Sequence, residues 1–197
     1  MRNRVRAGVV AGVLVGLWAL PARASFHEWR VSEVYSNAGG TVQFIEFLQP
    51  SSEFDDERFL AGQTLTESAL GHSFSFASNL PSTPGANSHF LVATPGYAAL
   101  AGVPQADYVL PANNFFSTAG DTITFASFVD TATFTGAQLP TNGVNSLNRD
   151  YGVSAFTVAR NSPTNFAGQT GSVVPEPSAA ALALLGLVPL LRRRPRS

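Results

Sequence analysis

An all-β fold, built as a single antiparallel β-sandwich, is what this 197-residue sequence predicts. Three observations point there. Apolar and polar residues alternate with period two over short stretches, clusters of Gly, Pro and Asn separate those stretches, and aromatics reach 11%, with 15 Phe. Many short strands between frequent turns describe an antiparallel sandwich rather than a helical or α/β domain. Cysteine is absent, so no disulfide framework, thiolate metal site or cysteine nucleophile is available. Packing has to hold the fold.

Taken in chain order, Trp29, Val31 and Tyr35 fall on one face of a first strand, and residues 41–48 form a second after the turn-forming Asn37-Ala38-Gly39-Gly40. Phe74 and Phe76 alternate with Ser73 and Ser75. Residues 89–93 make a further strand that Pro95-Gly96 stops, and residues 97–101 leave room for one helical turn. The clearest pair is 121–125 with 131–135. Ile123, Phe125, Ala132 and Phe134 face inward there, Thr122, Thr124, Thr131, Thr133 and Thr135 face outward, and Asp130 sits in the connection. Residues 161–174 are polar and broken by Pro163, Gly168 and Gly171, which reads as a spacer.

The two ends have a different grammar. Arg2, Arg4 and Arg6 precede an apolar stretch over residues 7–20, then Pro21 and Ala22-Arg23-Ala24. A basic start, a short apolar run and an A-x-A site make residues 1–24 a signal peptide cut between Ala24 and Ser25, with Ala22 and Ala24 in the signal peptidase pockets. At the other end Val174, Pro175, Glu176 and Pro177 precede an apolar run over 178–191, and Arg192, Arg193, Arg194 and Arg196 follow it. The prolines bar helix and leave an extended, protease-accessible peptide; the apolar run holds it at the membrane as a transmembrane helix; the arginines stop transfer on the cytoplasmic side. A retained membrane anchor is the alternative at either end.

Eight of the twelve arginines lie in these end segments, and Lys does not occur. Residues 25–174 hold four Arg against twelve acids, a formal charge of −8. Nucleic acid and anionic lipid headgroups are therefore excluded as partners.

The Val-Pro-Glu-Pro motif with its apolar run and terminal arginines resembles the PEP-CTERM sorting signal of bacteria that make extracellular polymeric substance. The resemblance implies processing by an exosortase near the motif, in residues 175–197. A second resemblance covers the middle. Val31-Ser32-Glu33-Val34 with Asn37, Phe44-Ile45-Glu46-Phe47, residues 60–66 (Leu-Ala-Gly-Gln-Thr-Leu-Thr) and Phe90-Leu91-Val92-Ala93 look like successive strands of the lamin-tail domain. Gln63 stands where that family often has Trp, residues 55–57 form an unusual insertion, and Ser162-Pro163-Thr164-Asn165 is a remnant of its closing segment. The resemblance implies that residues 25–160 form an immunoglobulin-like sandwich, flanked by the N-terminal signal helix and a C-terminal hydrophobic sorting helix. No enzyme activity comes with it.

Chemistry-bearing residues are few. His27-Glu28-Trp29-Arg30-Val31 lacks the second His of a zinc-protease helix, and His27, His72 and His89 are widely dispersed. Gly71-His72-Ser73-Phe74-Ser75 lacks the second Gly of a nucleophile elbow. Glu53, Asp55, Asp56 and Glu57 read as a solvated loop without calcium-loop spacing. Glu33 and Glu46 read as acceptors for backbone or turn donors rather than an acid-base pair. Trp29, Tyr35, Tyr97, Tyr108 and Tyr151 could stack on sugars, although most belong in a core. No catalytic, metal-binding or cofactor-binding residue is assigned and no cofactor is implied. The sequence thus points to a non-catalytic structural or adhesive protein, exported through the inner membrane to the envelope, cell surface or medium, with signal peptidase and exosortase as partners. The alternative is a carbohydrate-binding module for exopolysaccharide.

Overall fold

The structure, a computed structural model, describes residues 27–50 and 55–173. The expected signal and sorting helices lie outside the described residues. Among the described residues ten strands form two sheets: β1 (Arg30–Ser36), β2 (Gln43–Gln49), β3 (Thr64–Glu67), β4 (Ser73–Ser75), β5 (Ser88–Ala93), β6 (Tyr108–Val109), β7 (Gly120–Phe125), β8 (Asp130–Thr135), β9 (Asn145–Asn148) and β10 (Thr157–Arg160). A six-stranded sheet runs β10-β9-β1-β2-β5-β6, and a four-stranded sheet runs β4-β3-β7-β8. The molecule is mostly β, as the alternation predicts.

Aromatic packing closes the space between the sheets. Phe47 stacks on Phe90 with ring centroids 4.5 Å apart and meets Phe125 of the opposite sheet at 4.6 Å. Trp29 meets Phe90 edge-on at 4.6 Å, and its indole N–H donates to the Glu57 carbonyl at 2.8 Å. Val31, Val34, Ile45, Leu65, Ile123 and Phe134 complete this buried cluster. Without disulfides, offset and edge-on ring contacts supply its cohesion.

The six-stranded sheet is covered on its other face too. Tyr35, Phe44, Leu91, Ala93, Tyr97 and Val173 form a second buried cluster, with Tyr35 stacked on Phe44 at 5.1 Å. This explains the unbroken apolar run Phe90-Leu91-Val92-Ala93: a strand buried on both faces need not alternate. It also corrects the expected single face for Trp29, Val31 and Tyr35. The β1–β2 register shifts between Val31 and Glu33, a bulge that reverses the side-chain phase. Val31 and Val34 consequently share the inter-sheet core while Tyr35 turns to the second cluster.

Two further expectations are corrected. The six-stranded sheet is mixed, because β6 runs parallel to β5 with Val92 opposite Tyr108. The intervening residues 94–107 are long enough to cross the outer face, which a parallel neighbour requires. They carry the helical turn, α1 (Pro95–Ala98), which starts earlier than expected because Thr94 caps it and Pro95 sits at its first position. Residues 161–173, assigned to a spacer by their polarity, lie against the six-stranded sheet: Asn161, Asn165 and Val173 are buried.

The β7–β8 hairpin matches its expected pattern residue by residue, except that Asp130 opens β8 opposite Phe125. Among the described residues, the outer face of the four-stranded sheet is exposed or half-buried. Its outward positions in β3, β4, β7 and β8 are all Ser or Thr apart from Gly120.

Candidate functional site

Glu33 of β1 and Glu46 of β2 are cross-strand neighbours at the bulge, 2% and 4% exposed, on the face covered by residues 161–173. Glu33 Oε1 accepts from the Ser146 hydroxyl at 2.6 Å and the Ser162 N–H at 2.9 Å, and Oε2 accepts from the Ser162 hydroxyl at 3.2 Å. Glu46 Oε1 meets His89 Nδ1 at 2.7 Å and accepts from the Ser32 hydroxyl at 3.1 Å, while Oε2 accepts from the Thr164 N–H at 2.5 Å. Burial pushes the Glu33 carboxyl up to about 7; the Glu46 charge adds to the rise, and the Ser146 and Ser162 donors oppose it.

Both carboxyl groups are thus occupied by the chain itself: Ser162 and Thr164 sit on the strap that follows β10, while Ser146, Ser32 and His89 belong to β9, β1 and β5. Asp107 extends the arrangement, accepting from the Leu91 N–H at 2.8 Å and the Phe166 N–H at 2.9 Å. Asn161 closes the strap: its side-chain amide donates to the Val144 carbonyl at 2.7 Å, and its Oδ1 accepts from the Val173 N–H at 2.5 Å. What this arrangement does is fasten backbone. Clefts of about 210 and 290 Å³ open elsewhere, at Arg30/Arg149 and at Gly40/Asn114, and neither is lined by Glu33 or Glu46.

The remaining candidates are dispersed. Each histidine stands beside a different glutamate, His27 by Glu57, His72 by Glu67 and His89 by Glu46. Among the described residues no group of three or more His, Asp or Glu is placed to hold a metal ion. Of the proposed anionic loop, Glu53 lies outside the described residues, and Glu57 is turned inward to accept from the His27 and Glu28 N–H groups at 2.7 and 3.0 Å. Asp55 and Asp56 belong to a 3₁₀ turn, Asp55–Arg58. Trp29, Tyr35, Tyr97 and Tyr108 are buried, so among the five named aromatics only Tyr151, 38% exposed, is available to stack on a ligand. Arg30 already lies over its ring, 5.6 Å from the centroid.

The cleavage residues Ala22, Ala24 and Ser25, the motif residues Val174, Pro175, Glu176 and Pro177, and the arginines 192, 193, 194 and 196 lie outside the described residues. Among the described residues no helix is long and apolar enough to cross a membrane. Sequence reasoning missed Asp107, Asp121 and Asp130. Asp121 gathers the Ser68, Ala69, Ser117 and Thr122 N–H groups, and Asp130 holds the Val31 N–H at 2.7 Å and the Arg149 guanidinium. Their one sequence signal is an isolated acid at a strand end beside a turn, which many solvated acids share. No known family model matches this chain, and no curated protein matches it in sequence.

Proposed function

We propose that this chain is an exported, non-catalytic envelope or extracellular-matrix protein, sorted and processed by an exosortase, whose sandwich is an immunoglobulin-like module of the lamin-tail kind with a structural or adhesive role. The observation that carries the reading is how firmly the residue beside the motif is held. Val173, the residue before the Val-Pro-Glu-Pro motif, is buried in the second cluster and tied to Asn161. In sequence, the motif thus directly follows a residue fixed in the folded domain.

The four stretches that resemble the lamin-tail family support the finer fold assignment by position. They fall on β1, on β2, on the approach to β3, and on β5. A structural role is supported by the use of the buried acids, which are taken up by the chain's own donors. The aromatic sugar platform considered from sequence loses four of its five rings to the core.

Replacing Pro175, Glu176 and Pro177 by Ala in the native host tests the sorting reading. The expected outcome is accumulation of the chain in the inner-membrane fraction, at the expense of the outer envelope and medium. An unchanged distribution would remove the sorting role from the motif.

A further inference from the structure

The outer face of the four-stranded sheet is chemically unusual for a solvated surface. Thr66 pairs with Ser73 on one side and with Thr124 on the other, and Thr124 pairs with Thr131, so one row of hydroxyls crosses all four strands. At about 4.8 Å between strands the row is about 14 Å long. The next row begins with Thr122 opposite Thr133, their hydroxyls 3.0 Å apart. Solvated surfaces ordinarily mix charges of both signs. Here residues 25–174 carry sixteen charged side chains, yet no outward position of these strands holds one.

A second observation lies at the end of this face. Phe128, in the hairpin joining β7 to β8, is 87% exposed. The residues before it, Ala126 and Ser127, adopt left-handed backbone angles, φ 48° and 63°. Such conformations cost L-residues on the order of 1 kcal/mol each and concentrate at ligand-contacting segments. The turn therefore presents an exposed aromatic ring at one end of the sheet.

We propose that this face binds an uncharged polysaccharide. Each Thr or Ser hydroxyl both donates and accepts a hydrogen bond, as sugar hydroxyls do, and each Thr methyl meets the C–H surface of a pyranose. Phe128 supplies the aromatic ring on which a terminal sugar stacks. Charge selects the class: a formal charge of −8 on the surrounding domain repels polyanionic glycans, and a face without acids offers nothing to a polycation. The contact is shallow, so single-site affinity is weak and retention comes from many sites along one polymer. The proposal rests on the matrix-protein reading only for where the glycan is met.

The test is depletion of the full-length chain, purified in mild detergent, by suspensions of cellulose, chitin and curdlan, with alginate gel as the anionic comparison. The expected result is salt-insensitive depletion by at least one neutral glycan. Thr124→Glu combined with Thr133→Glu, and separately Phe128→Ser, lower the bound fraction by about five-fold or more. Both residue sets lie outside the core, and an unchanged thermal transition confirms that each variant is folded. No depletion by any neutral glycan overturns the proposal. So does depletion that both folded variants retain, or depletion by alginate alone that salt abolishes. Inhibition of ice growth without glycan depletion overturns it too and reassigns the hydroxyl rows to ice. A chain correctly processed in the cell that fails to bind leaves the export reading standing, and a binder found unprocessed does the reverse.

Discussion

At least seven carboxylates of this chain hold backbone: Glu33, Glu46, Glu57, Glu67, Asp107, Asp121 and Asp130 each accept from a main-chain N–H. Several of these ties span more than fifty residues, Glu33 to Ser162 and Glu46 to Thr164 among them. They join distant loops to strands in a chain without cysteine. Burial raises the carboxyls of Glu33, Glu57 and Asp107 above their usual range. For Glu33 the sign follows directly. Below the ordinary carboxyl value of 4.5 both folded and unfolded chains hold the proton; between 4.5 and about 7 only the folded chain does; above that neither does. Stability contributed by Glu33 is therefore full at low pH and is lost as pH rises through that window, by an amount on the order of 3 kcal/mol. Glu33→Gln should flatten this decline and be more stable than the natural chain at pH 8. Chemical denaturation of both proteins between pH 4 and 8 checks it, and parallel pH profiles would show that Glu33 does not titrate in this window.

Elements were legible where a strand has one wet face. The β7–β8 hairpin could be read to the residue because Thr alternates with Ile, Phe and Ala. In β1 the bulge between Val31 and Glu33 breaks that logic, and nothing local in Val-Ser-Glu-Val marks it. Short β9 and β10 escaped notice because Asn-Ser-Leu-Asn and Thr-Val-Ala-Arg carry little alternation, and β10 is exposed along its length. The strap over 161–173 was illegible for another reason: its polar residues are ordered by acids more than a hundred positions earlier in sequence. Asn161 is its hinge pin. Asn161→Ala removes the ties to the Val144 and Val173 backbone, and about 1 kcal/mol per hydrogen bond is at stake. The expected outcome is faster amide exchange across residues 162–173, with protection in β1, β2 and β5 retained. Uniformly faster exchange throughout the sandwich would instead make the strap part of the global fold.

At the scale of the whole molecule, the described residues cover the larger sheet on both faces and leave the outer face of the smaller one exposed or half-buried. Aromatic packing between the sheets makes the domain rigid, and the strap, with α1 and the crossover, seals the far side of the larger sheet. The chain has no cysteine, so these contacts hold the body together without a disulfide. The hydroxyl face of the smaller sheet is where it would meet a matrix. The order of events we propose is export, folding and then trimming at both ends. Intact mass of the native protein recovered from envelope and medium reads both trimming events together. The expected mass is that of a chain running from Ser25 to the neighbourhood of Pro175-Glu176-Pro177, with or without an added group; a mass that retains residues through Ser197 would overturn the proposed order.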